Sequence, residues 1–196
     1  MITRESLVFY IFIMQFGKVI QTCTSKKGNT VTFRYLREDD LDNMLSYINT
    51  LIAEDTFIGM YGAPLSREEE KKHLDETIDG MKKGEKIVIV AEINGIYAGS
   101  GDLRRETVRR KKHGANIGIS LLAKYREEGI GTLLLKALID EARIMGLRLL
   151  TLTCFENNDR ALHVYEKLGF KQVGLVPEAC LYKDNYYGEV VMFMKL

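Results

Sequence analysis

The sequence predicts a single domain of the α+β (mixed α/β) class, and three observations carry that expectation. Segments rich in β-branched residues are joined repeatedly by hairpin turn chemistry. Helical stretches with a 3.6-residue apolar period separate the strand groups, and one strand–helix–strand unit lies among them. The 196 residues are 46% hydrophobic and 28% charged, which is enough to bury one sizeable core.

Taken in order, residues 18–24 and 30–35 favour strands, and Ser25-Lys26-Lys27-Gly28-Asn29 between them is a turn. Glu38, Asp39 and Asp40 are expected in the first turn of a helix, where the dipole favours acids. Its apolar stripe is Leu41, Met44, Leu45, Ile48, Leu51 and Ile52. A loop with Gly59, Gly62 and Pro64 follows. Ser66 and Glu69 then form a capping box for a second helix running to about Lys83. Residues 86–93 and 96–103 are strands around an Asn94-Gly95 hairpin turn. Residues 104–113 are a charged connection and 115–122 another strand. A helix over 129–145 carries apolar residues at Ile130, Leu133, Leu134, Ala137, Leu138, Ile139 and Ala142 and stops at Gly146. Residues 147–155 form a strand, 158–168 a short helix closed by Gly169, and 170–176 and 186–194 two last strands. The order is ββ-αα-βββ-α-β-α-ββ, and the crossover through the third helix should be parallel.

Several function classes are excluded or demoted at this level. A net charge of +1 gives no overall pull toward nucleic acid or an anionic membrane. The basic run of Arg104, Arg105, Arg109, Arg110, Lys111 and Lys112 lacks interleaved aromatics for base stacking and reads as a solvated loop, so no nucleic-acid partner is expected. Cys23, Cys154 and Cys180 form no CxxC spacing, and His73, His113 and His163 no HExxH spacing. No metal site is expected, and a reducing, cytoplasmic setting is. Residues 7–14 are apolar but far short of the roughly 20 needed to span a bilayer. They are expected to be an edge strand or a loosely held leader, with no membrane role.

The chemistry concentrates in two stretches. Tyr125-Arg126-Glu127-Glu128-Gly129-Ile130-Gly131-Thr132 stands between a strand and a helix start. Two glycines at i and i+2 let the backbone turn tightly, and the unpaired N–H groups of the helix start favour an anion. It is neither a Walker loop nor a GxGxxG fingerprint, and a GxG helix start also serves close packing of helix on sheet. The second stretch runs from Asn158 to Phe170. Leu162 and Leu168 read as its buried stripe, whereas a buried Tyr165 needs a partner or a role for its hydroxyl.

Arg126-x-x-Gly129-x-Gly131 resembles the R/Q-x-x-G-x-G/A pyrophosphate loop of the GNAT acetyltransferases. Asn158-x-x-Ala161-x-x-x-Tyr165-Glu166-Lys167-Leu168-Gly169-Phe170 is similar to that superfamily's N-x-x-A-x-x-x-Y-E-K-x-G-F segment, in the same order along the chain. The resemblance implies a GNAT fold: a central, mostly antiparallel twisted sheet flanked by helices, with a V-shaped splay between two parallel strands. It implies acetyl-CoA as cofactor, an amine as substrate and an N-acetyltransferase activity. Its pantetheine would pair with backbone groups of Ile119 and Leu121 as an added strand. Its pyrophosphate would lie on Arg126, Glu127, Gly129, Ile130, Gly131 and Thr132. Asn158 would contact the pantetheine region, and Tyr165 would protonate the departing thiolate. The acetyltransferase domain is expected over residues 30–196 with residues 1–29 as an extension that contributes a strand. The superfamily often dimerises, and residues 7–14 are the segment expected to take part in a homodimer.

The chain departs from the pattern in two places. Asn116 and Thr153 stand where a glutamate base is often found, leaving a water chain, Glu156 or an already neutral amine to manage the proton. Glu127 and Glu128 bring negative charge to an anion site, so their side chains are expected to point to solvent. Glu54, Asp55, Glu68, Glu69 and Glu70 flank the loop where many GNAT proteins bind the acceptor; they read either as attraction for a cationic amine or, for residues 68–70, as a helix start. The runner-up function is a non-catalytic acyl-CoA-binding module on the same fold.

Overall fold

The computed structural model describes residues 16–196; the apolar segment 7–14 lies outside them. Eight strands form one sheet in the order β1-β2-β3-β4-β5-β6-β8-β7. They are β1 (Val19–Thr24), β2 (Thr30–Tyr35), β3 (Lys86–Ile93), β4 (Ile96–Arg105), β5 (Gly114–Leu121), β6 (Leu149–Phe155), β7 (Lys171–Tyr182) and β8 (Asn185–Lys195). The helices are α1 (Leu41–Ala53), α2 (Arg67–Lys82), α3 (Ile130–Ile144) and α4 (Asp159–Leu168). Among the described residues no helix is long and apolar enough to cross a membrane.

The element order follows the sequence expectation because its punctuation is local. Asn94 and Gly95 take positive φ (50° and 81°), the conformation a two-residue hairpin turn requires. Ser66 caps α2 through Glu69 with both bonds of the capping box present. Gly146 and Gly169 end α3 and α4 in left-handed geometry.

Three expectations are corrected. Asp40 does not serve the first turn of α1: it precedes the helix, makes no side-chain cap, and binds Arg34 through both oxygens at 2.7 and 2.8 Å. A buried guanidinium requires such partners, and Glu92 supplies a third bond at 2.7 Å. Strand β7 does not stop at Val176 but passes Pro177 through a bulge, with Glu178 at positive φ, and continues to Tyr182. In α4 only Tyr165 is buried, whereas Leu162 and Leu168 are half-buried.

Every neighbouring pair in the sheet is antiparallel except β5 with β6. That parallel pair holds register only at Gly114↔Leu149, Ala115↔Leu150 and Asn116↔Thr151. Beyond Asn116 the two strands part, so the sheet is two arms joined at one end and open at the other. Helix α3 covers one face of the first arm, where a Cβ on Gly101 would press on Leu138 at 2.6 Å. Helix α1 covers the opposite face, where the hydroxyls of Tyr47 and Ser120 meet at 2.7 Å.

Candidate active site

The open end of the sheet leaves backbone groups of β5 without a strand opposite. Leu122 donates its amide to the Ala98 carbonyl (2.9 Å), which fixes the alternation along β5. Residues 116, 118 and 120 therefore bond β4, and the backbone of Ile119 and Leu121 turns toward the gap. The Leu121 carbonyl is already taken, accepting from Arg126 Nε at 2.9 Å. The backbone groups of Ile119 meet no strand on that side.

The chain then makes a short 3₁₀ turn over Ala123–Tyr125 and enters the loop before α3. Glu127 and Gly129 take left-handed φ values of 67° and 82°. The first backbone bond into the helix is Leu133 to the Gly129 carbonyl, at 3.2 Å. The amides of residues 127–132 donate to no described residue. Alternating hand with a row of unpaired N–H groups makes a concavity that suits an anion, reinforced by the N-terminal dipole of α3. A diphosphate fits this chemistry. Gly131 also serves packing, since a Cβ there would meet Ile119 Cδ1 at 3.2 Å and Leu121 Cδ1 at 3.4 Å. The close packing of helix on sheet therefore holds at Gly131, beside amides whose chemistry suits an anion.

Arg126 turns inward. Its guanidinium binds Glu54 Oε2 at 2.6 Å, and the other oxygen of Glu54 accepts the Ala123 amide at 2.9 Å. Glu54 is thus committed to the loop and is not a free acid awaiting an amine. Glu69 is spent on the α2 cap and Glu70 is buried.

Of the two loop acids, Glu127 points to solvent as expected and Glu128 does not. Glu127 is exposed but pairs with Arg160 at 2.6 Å. Glu128 does not face solvent: it is 2% exposed and accepts bonds from Ser25 Oγ (2.6 Å) and Asn29 Nδ2 (2.9 Å). Those two bonds hold its carboxyl below the usual range. The partners lie on the β1–β2 turn, about a hundred positions away, so no local pattern could have announced them.

Asn158 caps α4, its Oδ1 accepting the Ala161 amide at 3.3 Å. The preceding Asn157 Oδ1 is buried without a partner among the described residues, an acceptor that no motif singles out. Tyr165 is buried edge-on to Phe170 at 5.9 Å, and no described residue hydrogen-bonds its hydroxyl. Burial, and then nearby Cys154, push that hydroxyl above the ordinary tyrosine range.

Asn116 and Thr153 carry no charge. Asn116 instead accepts a long bond from Arg104 Nη2 at 3.4 Å. Glu156 is tied to the Gly188 amide at 2.6 Å. The carboxylate facing β5 is Asp102, in register with Gly118, whose absent Cβ would lie 3.6 Å from Asp102 Oδ1. Burial raises the Asp102 carboxyl, opposed by Arg104, Lys86 and His73. On the second arm Phe155, Phe57 and Tyr182 pack with ring centroids 4.7 to 6.2 Å apart, and the Tyr182 hydroxyl donates to the Asp55 carbonyl at 3.1 Å. That contact closes the β7–β8 hairpin against the loop after α1. A separate cavity of about 540 Å³ lies between α1, the β3–β4 turn and Leu122–Lys124, away from Tyr165.

The acetyltransferase (GNAT) family model matches residues 50–170. Among curated proteins, the L-amino acid N-acyltransferase MnaT of Escherichia coli is 31% identical over 94 residues, spanning 46% of this chain and 54% of that enzyme. An N-alpha-acetyltransferase of Sulfurisphaera tokodaii is 29% identical over 150 residues, 76% of this chain and 85% of that protein. Among solved structures, a GNAT-family acetyltransferase of Streptococcus pneumoniae superposes with a TM-score of 0.76 at 25% identity, over 85% of this chain and 99% of that one. The ribosomal L7/L12 alpha-N-protein acetyltransferase RimL, bound to coenzyme A, shares the fold with a TM-score of 0.78 at 19% identity, over 91% and 98%.

Proposed function

The chain belongs to the acetyltransferase (GNAT) family, whose co-substrate is acetyl-CoA, and from that premise we propose that it acetylates the α-amine of an amino acid or a protein N-terminus. The observation that carries this reading is the gap between β5 and β6, which ends at a loop of unpartnered amides. Pantetheine would take the backbone of Ile119 and the free amide of Leu121, and the pyrophosphate the amides of residues 127–132. Asn158, with the orphaned Asn157 acceptor beside it, would hold the arm from the second strand side.

Acetyl-CoA supplies a thioester carbonyl open to attack by a neutral amine. A β5 amide directed into the gap receives the charge that develops on the carbonyl oxygen. Tyr165 gives its proton to the departing sulfur. A free thiol has a pKa of about 8.5, so a tyrosine raised by burial would be a poor match in water. The gap is not water. Burial first, then Cys180 and Glu189, push the neighbouring Cys154 thiol up to about 12, so burial beside Tyr165 moves a thiol in the same direction as the tyrosine. Burial therefore does not by itself turn the transfer against the tyrosine.

In this reading Asp102 accepts the amine proton across Gly118. A single carboxylate held beside Arg104 is a modest base. That favours an acceptor whose amine loses its proton easily, an α-amine near 7.7–8.0 over a lysine near 10.4. The relatives named as an L-amino acid N-acyltransferase and an N-alpha-acetyltransferase support the same choice.

Release of free thiol from acetyl-CoA, measured over a panel of amino acids and N-terminal peptides, tests the reading. Amine-dependent release that falls at least tenfold in Tyr165→Phe is expected. Tight acetyl-CoA binding without turnover on any acceptor would support a binding module instead.

A further inference from the structure

Two glutamates in a loop that holds a diphosphate present an electrostatic problem, and the way the chain solves it points to a residue outside the matched segment. Glu127 is neutralised by Arg160. Glu128 is neutralised by the β1–β2 turn, which folds down onto the loop. Ser25 and Asn29 bind its carboxylate, Lys27 Nζ stands 3.5 Å from the same group, and the Lys26 amide donates to the Glu128 carbonyl at 3.1 Å. The turn is itself closed by Ser25 N to the Asn29 carbonyl (2.9 Å) and Gly28 N to the Ser25 carbonyl (3.0 Å).

This docking fixes the backbone of Lys26 beside the loop and lays its side chain across Gly129. A Cβ built on Gly129 would lie 3.7 Å from Lys26 Cγ, 3.9 Å from Cδ and 3.6 Å from Cε. The ammonium is one bond beyond Cε. Lys27 is paired with Glu128, whereas Lys26 pairs with no carboxylate among the described residues. The loop's own Arg126 is committed to Glu54. A free cation is therefore held next to the unpartnered amides, and nothing in the loop itself supplies one.

We propose that Lys26, carried by the β1–β2 turn and latched through Glu128, binds the pyrophosphate of coenzyme A. The inference rests on the assignment of residues 127–132 as the pyrophosphate loop. It gives Glu128 a purpose: the acid is a latch for the turn that brings the counter-charge. It also makes the first hairpin, outside residues 50–170, part of the cofactor site.

The test is the dissociation constant of acetyl-CoA for wild type, Lys26→Met, Glu128→Gln and the double variant, repeated with dephospho-CoA. Lys26→Met keeps the methylenes over Gly129 and removes the charge. It is expected to weaken both ligands about three- to tenfold, as a partly solvated contact to phosphate should, and to flatten the salt dependence. The loss should appear in KM for acetyl-CoA and not in KM for the amine. Glu128→Gln should weaken binding as well, with Lys26→Met adding little in that background. An unchanged affinity in Lys26→Met overturns the proposal. A loss confined to acetyl-CoA, with dephospho-CoA unaffected, also overturns it, because the contact would then be to the 3′-phosphate. Wild type that fails to bind acetyl-CoA at all would sink the acetyltransferase reading first, and that outcome is separate from either.

Discussion

At the scale of single residues, the roles divide by how each side chain is held. Tyr165 is buried, no described residue bonds its hydroxyl, and burial raises it above the ordinary tyrosine range, which suits the proton donor of the proposed reaction. Asp102 is the opposite case. Its carboxyl is raised by burial, a rise opposed by Arg104 on its own strand, Lys86 on β3 and His73 on α2, with Glu76 near Lys86 and His73. A base must be deprotonated to work. A carboxyl raised in the folded protein therefore puts the acidic limb of kcat/KM above the ordinary carboxylate range, with activity lost as pH falls through it. Asp102→Asn should lower kcat/KM for the amine by about 10²-fold near neutrality and abolish that limb. A pH profile of the variant that keeps the same limb would show that another group takes the proton. This assignment was not legible beforehand. Asn116 and Thr153 could be read as departures from a pattern, but Asp102 lies on a strand whose register against Gly118 only the fold reveals.

At the scale of elements, what was legible is what is written locally. The glycines at 95, 146 and 169, the Ser66–Glu69 box and the 3.6-residue stripe of α3 each fix a boundary by themselves. What was not legible depends on contacts between distant segments: Ser25 with Glu128, Glu54 with Arg126, and Phe57 with Tyr182. A charged residue in a loop reads as solvated until a partner far along the chain is known. The loop before α3 combines both kinds. Gly129 has φ of 82° and no close neighbour except the flexible Lys26 chain, so its requirement is conformational and not steric. Gly129→Ala should cost roughly 1–2 kcal/mol of left-handed strain, lowering the melting temperature by about 2–8 °C in a domain of this size. If the loop instead relaxes to relieve that strain, the amides of residues 127–132 turn away from the ligand, and acetyl-CoA affinity falls at least tenfold. Calorimetry on the free and liganded variant separates the two terms. Undiminished affinity with no loss of melting temperature, the mark of a relaxed loop, would mean that the amide row is not the anion site.

At the scale of the whole molecule, the sheet works because its two arms are joined at one end and free at the other. Three register pairs hold β5 to β6, and the gap they leave can persist only if each arm is rigid by itself. The second arm is braced by the long β7–β8 ladder and its antiparallel union with β6. In the first arm the bracing is polar. Arg34 on β2 is fully buried and bonds Asp40 through both carboxylate oxygens, Glu92 on β3 and the Tyr35 carbonyl. Burial works against its charge, and the paired carboxylates outweigh that cost and hold it ionised. Removing one partner leaves a charge that cannot reach water. Asp40→Asn should therefore destabilise the chain by about 3–5 kcal/mol, far beyond the 1 kcal/mol or less of an exposed pair such as Arg67 with Asp42. Urea unfolding compares them directly, with Asp42→Asn as the control. Acetyl-CoA at a hundredfold excess over its dissociation constant should restore about 2.7 kcal/mol to either variant by mass action. If Asp40→Asn unfolds at the control's midpoint, the buried pair is not what stiffens the first arm, and the support for the gap must come from the apolar packing of α1 and α3 alone.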